Sequence, residues 1–340
     1  MSIRILEGDC RAVLAGLPDC SVNCCVTSPP YFGLRDYGVD GQIGLEANPE
    51  AFVAEMVDVF RDVHRVLRDD GTLWLNLGDS YANDTKWGGR TSGKHVKANH
   101  GDTGIGRRRQ NTGLKSKDLI GIPWRVAFAL QEDGWYLRQD IIWSKPNPMP
   151  ESVTDRCTKA HEYIFLLTKS PKYFYDAAAI KEPASENTNA RLPGNKRHKG
   201  TDAYEAGDQK HRTKAGLVDY AKRKRAAAGS GIKNNDSMDA ALAVMPDFRN
   251  KRSVWTVGSE PFPEAHFATF PPTLIEPCIK AGCPAGGTVL DPFGGAGTTG
   301  LVADRLQRNA ILIELNPAYA EMARRRIAAD AGMFTSVAAQ

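Results

Sequence analysis

The residues best able to do chemistry fall in two short stretches far apart in the chain. The later one, Val289-Leu290-Asp291-Pro292-Phe293-Gly294-Gly295-Ala296-Gly297-Thr298-Thr299-Gly300, joins a strand-like run to a helical one. Glycines at such a junction let the backbone turn sharply and approach a ligand, and the helix N-terminus offers unpaired N–H groups. Gly295-x-Gly297-x-x-Gly300 has the spacing of a dinucleotide fingerprint. Glu314, 17 residues after Gly297 and at the end of the next strand, is placed to bind two ribose hydroxyls. Alone, the glycines describe only a tight strand-to-helix turn. With strand, turn, helix, strand and acid in order, they point to a cofactor built on a nucleoside, either NAD or S-adenosylmethionine. Asp291 leans toward the second, because a carboxylate there opposes a pyrophosphate but suits ammonium and sulfonium charges.

The earlier stretch is Thr27-Ser28-Pro29-Pro30-Tyr31, which also follows a strand. Two consecutive prolines fix φ and remove two backbone donors, so the corner presents carbonyl acceptors only. Ser28 adds a hydroxyl acceptor and Tyr31 a flat aromatic face. Such a corner suits an exocyclic NH₂ on a planar ring, its N–H groups donating to Ser28 and the Pro29 carbonyl while the ring stacks on Tyr31. An ordinary proline turn is the plainer reading, and it loses ground beside a cofactor turn.

Elements must carry these stretches to one place. Residues 22–27 read as a buried strand. Asn48-Pro49 opens a helix as N-cap and first-turn proline, with an apolar stripe through Phe52, Val53, Met56, Val59, Phe60, Val63, Val66 and Leu67. Gly71 is expected to end it, with a strand over 72–77. A second helix is predicted over 122–132, then strands over 136–143 and 162–168. Next come a helix over 272–280, a strand over 288–291, a helix over 297–307, a strand over 310–314 and a last helix over 317–329. Alternating strands and helices imply an α/β fold with a largely parallel sheet.

The 340 residues are 41% hydrophobic and 25% charged, which argues against a disordered chain, and no apolar run approaches the length of a membrane span. The N-terminus lacks the apolar core of a signal peptide. Seven cysteines without zinc spacing suggest reduced thiols, no metal and a cytoplasmic setting. The net charge of +4 conceals a division. Residues 86–117 carry net +8 and residues 181–252 net +7, leaving −11 on the other 236 residues. Both basic segments are rich in Gly, Asn, Ser and Thr. Solvated linkers are one reading; the sharper one is a polyanion-binding surface in which Arg107, Arg108 and Arg109 with Lys222, Arg223, Lys224 and Arg225 contact phosphates. Trp87, Tyr204 and Tyr220 are too few to indicate stacking by themselves.

Together, the Ser28 corner and the Asp291 turn resemble the paired signatures of the amino-group DNA methyltransferases, the N4-cytosine/N6-adenine family. Their order, catalytic corner first and cofactor turn last, is similar to the β class. The similarity covers roughly residues 3–180 and 260–330. It includes Gly8-Asp9-Cys10, Trp143-Ser144-Lys145-Pro146-Asn147-Pro148, His161-Glu162-Tyr163 and the HFATFP run over 266–271.

The resemblance implies a seven-stranded, Rossmann-like S-adenosylmethionine-dependent sheet with an inserted basic target-recognition region. Residues 1–180 would form its catalytic part, 181–252 the target-recognition insertion, 253–330 the cofactor part and 331–340 a C-terminal tail. It implies that Phe293, Gly295, Gly297, Thr298 and Thr299 cradle S-adenosylmethionine beside Asp291, with Glu314 on the ribose. Asp9, next to Cys10, would accept from the adenine amino group, and Thr269 would hold the methionine carboxylate. Ser28, Pro29, Pro30 and Tyr31 would hold a base flipped out of double-stranded DNA. Serine at the first corner position favours N4 of cytosine, as do Lys169-Ser170-Pro171 and Phe174-Tyr175-Asp176; N6 of adenine is the alternative. The reaction needs no cysteine nucleophile, and Pro277-Cys278 reads as core packing. A NAD-dependent oxidoreductase would leave the Ser28 corner and the basic segments unexplained, and a catalytically idle DNA-binding scaffold would leave the intact corner unexplained. A bacterial or phage-encoded protein associated with the nucleoid is expected, while monomer or homodimer and a cognate restriction endonuclease are open at this point.

Overall fold

The computed structural model describes residues 1–34, 38–82, 113–148, 150–184, 248–260, 269–331 and 336–339. Arg107, Arg108, Arg109, Lys222, Arg223, Lys224 and Arg225, the three interleaved aromatics, and residues 266–268 lie outside them. The chain divides into two compact units, one of Met1–Ala179 with Arg252–Gln340 and one of Ile180–Lys251.

The strands of the larger unit are β1 (Ser2–Glu7), β2 (Val22–Thr27), β3 (Leu67–Leu77), β4 (Tyr136–Ser144), β5 (His161–Thr168), β8 (Val254–Thr256), β9 (Thr288–Asp291), β10 (Asn309–Glu314) and β11 (Ser336–Ala339). They form one nine-stranded sheet in the order β11-β1-β10-β9-β2-β3-β5-β4-β8. Two more strands than the family resemblance implies take part. Residues expected as a C-terminal tail form β11, which pairs in parallel with β1, and β8 pairs in parallel with β4. Among these described strands, β5 alone runs against its neighbours. In the smaller unit, β6 (Glu182–Pro183) and β7 (Phe248–Arg249) pair antiparallel, with Arg249 in an ion pair to Glu182.

The helices are α1 (Cys10–Ala15), α2 (Pro49–Val66), α3 (Ile122–Glu132), α4 (Pro272–Gly282), α5 (Thr298–Arg305) and α6 (Pro317–Asp330). Among the described residues, no helix is long and apolar enough to cross a membrane. Asn48 caps α2 by accepting from Ala51 N at 2.8 Å. The stripe Phe52, Met56, Val59, Phe60, Val63 and Val66 is fully buried, each side chain contributing about 1.5–3 kcal/mol relative to exposure. Against expectation, α2 does not end at Gly71. It stops at Val66, and β3 begins at once. The register against β2 runs from Val22↔Leu67 directly to Cys24↔Thr72, so residues 68–71 bulge out of the ladder. A Cβ at Gly71 would lie 2.9 Å from the Arg68 carbonyl oxygen, which is why glycine sits in that bulge. Cys278 is fully buried within α4, as core packing requires.

Strand direction positions the site. The carboxyl ends of β1, β10, β9 and β2 are adjacent and all reach the same sheet edge, where ligands of open parallel sheets bind. Because β5 runs backwards, its beginning reaches that edge too.

Candidate active site

A cavity of about 230 Å³ opens at this edge. Ser28, Pro29, Pro30 and Tyr31 line one part of it, with Asn76, Trp143, Lys145 and Glu162; Asp9, Cys10, Thr269, Asp291, Phe293, Gly295, Thr298 and Glu314 line the other. Two stretches of sequence more than 260 residues apart thus share one chamber, and a hydrogen bond ties them. The Thr27 hydroxyl donates to Asp291 Oδ1 at 2.6 Å, both residues being buried. The Thr299 hydroxyl donates to Asp291 Oδ2 at 2.6 Å, and Phe293 N donates to Oδ1 at 3.1 Å. Burial raises the Asp291 carboxyl above the usual range, and these three donors work against that rise.

Glu314 is the second organiser of the turn. Its Oε2 accepts from Gly295 N at 2.7 Å and its Oε1 from Asn316 N at 2.8 Å. Burial lifts this carboxyl too, against the pull of the same backbone donors. Arg326 of α6 buttresses the turn from behind, donating to the Ala296 carbonyl at 3.1 Å and to Thr298 Oγ1 at 2.9 Å.

Two residues expected on a cofactor stand elsewhere. Gly297 has φ +78°, and a Cβ there would lie 2.8 Å from Ala323 Cβ; Gly300 likewise faces Ile327 and Leu312. These glycines let α5 pack against α6 and β10, and the cavity wall is made by Gly294 and Gly295 instead. Thr299 serves Asp291 and does not line the cavity. Asp9 does line it, but its carboxylate also caps α1 by accepting from Arg11 N at 2.9 Å and pairs with the Arg11 guanidinium, which holds it below the usual carboxylate range. Burial pushes the neighbouring Cys10 thiol up to about 12, so it is a neutral wall rather than a nucleophile.

At the other end, the Tyr31 hydroxyl donates to Glu162 Oε2 at 2.6 Å and lies 3.3 Å from Asn76 Oδ1. Asn76 Nδ2 donates to the Tyr163 carbonyl at 3.1 Å. Lys145 forms an ion pair with Glu162 Oε1 and sits 4.2 Å from the centre of the Trp143 ring. Gly78 lies against the Tyr31 ring, where a Cβ would come within 2.4 Å of Cε2. Sequence reasoning gave no site role to Asn76, Lys145, Glu162 or Arg326. The available signals were Asn76 itself, a polar residue inside the apolar run of β3 that must find partners when buried, and the two middle motifs of the family resemblance, which hold Lys145 and Glu162.

Residues 22–325 match the family model described as DNA methylase. The chain is 45% identical over 326 residues to the type II methyltransferase M.SmaI of Serratia marcescens, covering 96% of this chain and 91% of that protein. It is 45% identical over 323 residues to the type II methyltransferase M.XycI of Xanthomonas campestris pv. cyanopsidis, covering 95% and 87%. In fold it is similar to a DNA modification methylase of Thermus thermophilus solved with S-adenosyl-L-methionine, with TM-score 0.54 and 23% identity over 99% of both chains. It is also similar to the cytosine-N4-specific PvuII DNA methyltransferase, with TM-score 0.53 and 19% identity over 95% of this chain and 86% of that one.

Proposed function

The chain belongs to the DNA methylase family, and from that premise we propose that it methylates an exocyclic amino group of a base in double-stranded DNA, N4 of cytosine being the target. The observation that carries this reading is the single cavity shared by the Ser28–Tyr31 corner and the Asp291–Glu314 turn, joined through the Thr27–Asp291 hydrogen bond.

S-adenosylmethionine fits the turn end. Phe293, Ile313, Leu315 and Tyr319 offer apolar and aromatic walls for a purine, Glu314 an acceptor for ribose hydroxyls, and Asp291 a carboxylate for the cationic methionine part. Asp9, Thr269, Gly295 and Thr298 complete the contacts. When bound, the cofactor supplies an electrophilic methyl group on a sulfonium.

The protein's own part is orientation. An aromatic amine is a poor nucleophile because its lone pair is delocalised into the ring. Ser28 Oγ and the Pro29 carbonyl accept its two N–H groups away from the ring plane, which favours a pyramidal nitrogen. The ring stacks on Tyr31, aiming the freed lone pair along the line of transfer. Positioning and electrostatic stabilisation of the growing positive charge supply the acceleration. Because duplex DNA hides the amine, the base enters the cavity flipped out. Arg107, Arg108 and Arg109 hold the surrounding backbone, and residues 181–252, with Lys222, Arg223, Lys224 and Arg225, read the site. A cognate endonuclease of the same recognition sequence is the partner that goes with this reading.

The test is incubation with methyl-labelled S-adenosylmethionine and mixed-sequence duplex DNA, followed by nucleoside mass spectrometry. N4-methylcytosine is expected. N6-methyladenine would move the target to adenine, and no label on any DNA would overturn the reading.

A further inference from the structure

We propose that the Lys145–Glu162 ion pair is a positioning device for Tyr31, fixing the ring on which the target base stacks; this rests on the base-methylation reading above. Tyr31 ends a strand-to-loop corner, and its hydroxyl is engaged by Glu162 Oε2, while the other Glu162 oxygen belongs to Lys145. Lys145 is in turn fixed over the Trp143 ring. Gly78 lies so close to the ring that no side chain would fit between them. The anchors come from the ends of β3 and β4 and the beginning of β5, and all but Gly78 line the cavity.

Stability is a poor explanation for this pair. The two side chains are only 23% and 16% exposed, and desolvating such charges offsets most of their attraction. What the pair achieves is geometric. Pinning the phenol oxygen fixes the first side-chain torsion of Tyr31, and the close approach of Gly78 restrains rotation of the ring about its own axis, so the aromatic face stays in one plane beside the acceptors of Ser28 and Pro29. Misplacement of a reacting group by about 1 Å can cost roughly 100-fold in rate. The Lys145 ammonium holds one carboxylate oxygen of Glu162, which leaves Oε2 to the phenol.

A double-mutant cycle with Tyr31→Phe and Glu162→Gln tests this, read as single-turnover methyl transfer to duplex DNA. Glutamine has one oxygen, which turns to the Lys145 ammonium, so its NH₂ faces the phenol; the short bond from the phenol to a carboxylate is lost and only a weaker, reversed N–H···O contact replaces it. Each single variant should transfer methyl roughly ten-fold more slowly, with S-adenosylmethionine affinity unchanged within about two-fold. The double variant should be no slower than the slower single one, because both changes cut the same link. Multiplying effects would overturn the proposal, placing Glu162 on the base or in an independent structural role. Wild-type transfer by Tyr31→Phe would overturn it as well, and that variant decides the matter even if Glu162→Gln does not fold. Failure of the wild-type protein to label DNA is a different result, since it removes the methylation reading rather than the link between Glu162 and Tyr31.

Discussion

Replacing Glu314 with glutamine should separate two quantities that usually move together. The carboxylate accepts from Gly295 N at 2.7 Å and from Asn316 N at 2.8 Å. Glutamine keeps one oxygen, so one backbone N–H loses its acceptor and meets an NH₂ group. Losing a hydrogen bond to a charged group costs about 1.5–3 kcal/mol. Yet burial raises the carboxyl above its ordinary range, which means that holding it ionised costs the folded chain free energy that a neutral amide does not. The two effects oppose, and folding stability should change by about 1 kcal/mol or less. Cofactor affinity has no such compensation. A turn held at one point instead of two, and an acceptor lost to the ribose, should weaken S-adenosylmethionine binding by about 1.5–3 kcal/mol, or roughly 10- to 100-fold. Isothermal titration calorimetry with S-adenosylmethionine and urea unfolding of the apo protein read the two numbers. Affinity unchanged within about two-fold would refute the role given to Glu314, and a loss of several kcal/mol in stability would refute the compensation.

Three further outcomes are expected, two from the geometry of the glycine turn and one from the charge of the sequence. Gly297→Ala combines a strained φ of +78° with a Cβ 2.8 Å from Ala323, and should destabilise the protein by about 2–4 kcal/mol in urea unfolding. With its pKa raised in the fold, Glu314 binds protons more readily folded than unfolded, so its contribution to stability falls as pH rises from the ordinary carboxylate value through the raised one. Melting temperatures of wild type and Glu314→Gln should therefore shift in favour of wild type as the pH is lowered through that window, and parallel profiles would contradict this. Replacing Arg107, Arg108 and Arg109 with alanine should reduce the slope of log affinity for DNA against log salt by about 2–3, measured by fluorescence anisotropy; an unchanged slope removes their phosphate contacts.

Local signals carried much of the reading from sequence. Asn48-Pro49 opens α2 as expected because capping is decided within one turn, and the strands leading to Ser28 and Asp291 show as short buried apolar runs. Gly71 misled because glycine after an apolar stripe marks a helix end by default, whereas here it occupies a bulge created by pairing with β2. Gly297 and Gly300 misled in a related way. A glycine announces that something comes close, and only the packed structure says that the neighbour is α6 or β10 rather than a ligand. Glu162 showed only as part of the His161-Glu162-Tyr163 motif and without a role, since its arrival beside Tyr31 depends on the reversed direction of β5, a tertiary property with no local trace.

The pairing of β11 with β1 places the chain's first and last described strands side by side, Ser336 N donating to the Met1 carbonyl at 2.9 Å. Because the strands are parallel, Ala339 lies opposite Ile5, so a joining peptide need only run back along one short strand, about half a dozen residues at ~3.3 Å each. A circularly permuted chain, closed there and reopened between β3 and α3, would keep every strand beside its present neighbour. It would also bring the glycine turn ahead of the Ser28 corner in reading order while leaving the Thr27–Asp291 bond in place. The chemistry thus depends on which strands lie side by side at the sheet's carboxyl edge, and not on the order in which the polypeptide visits them.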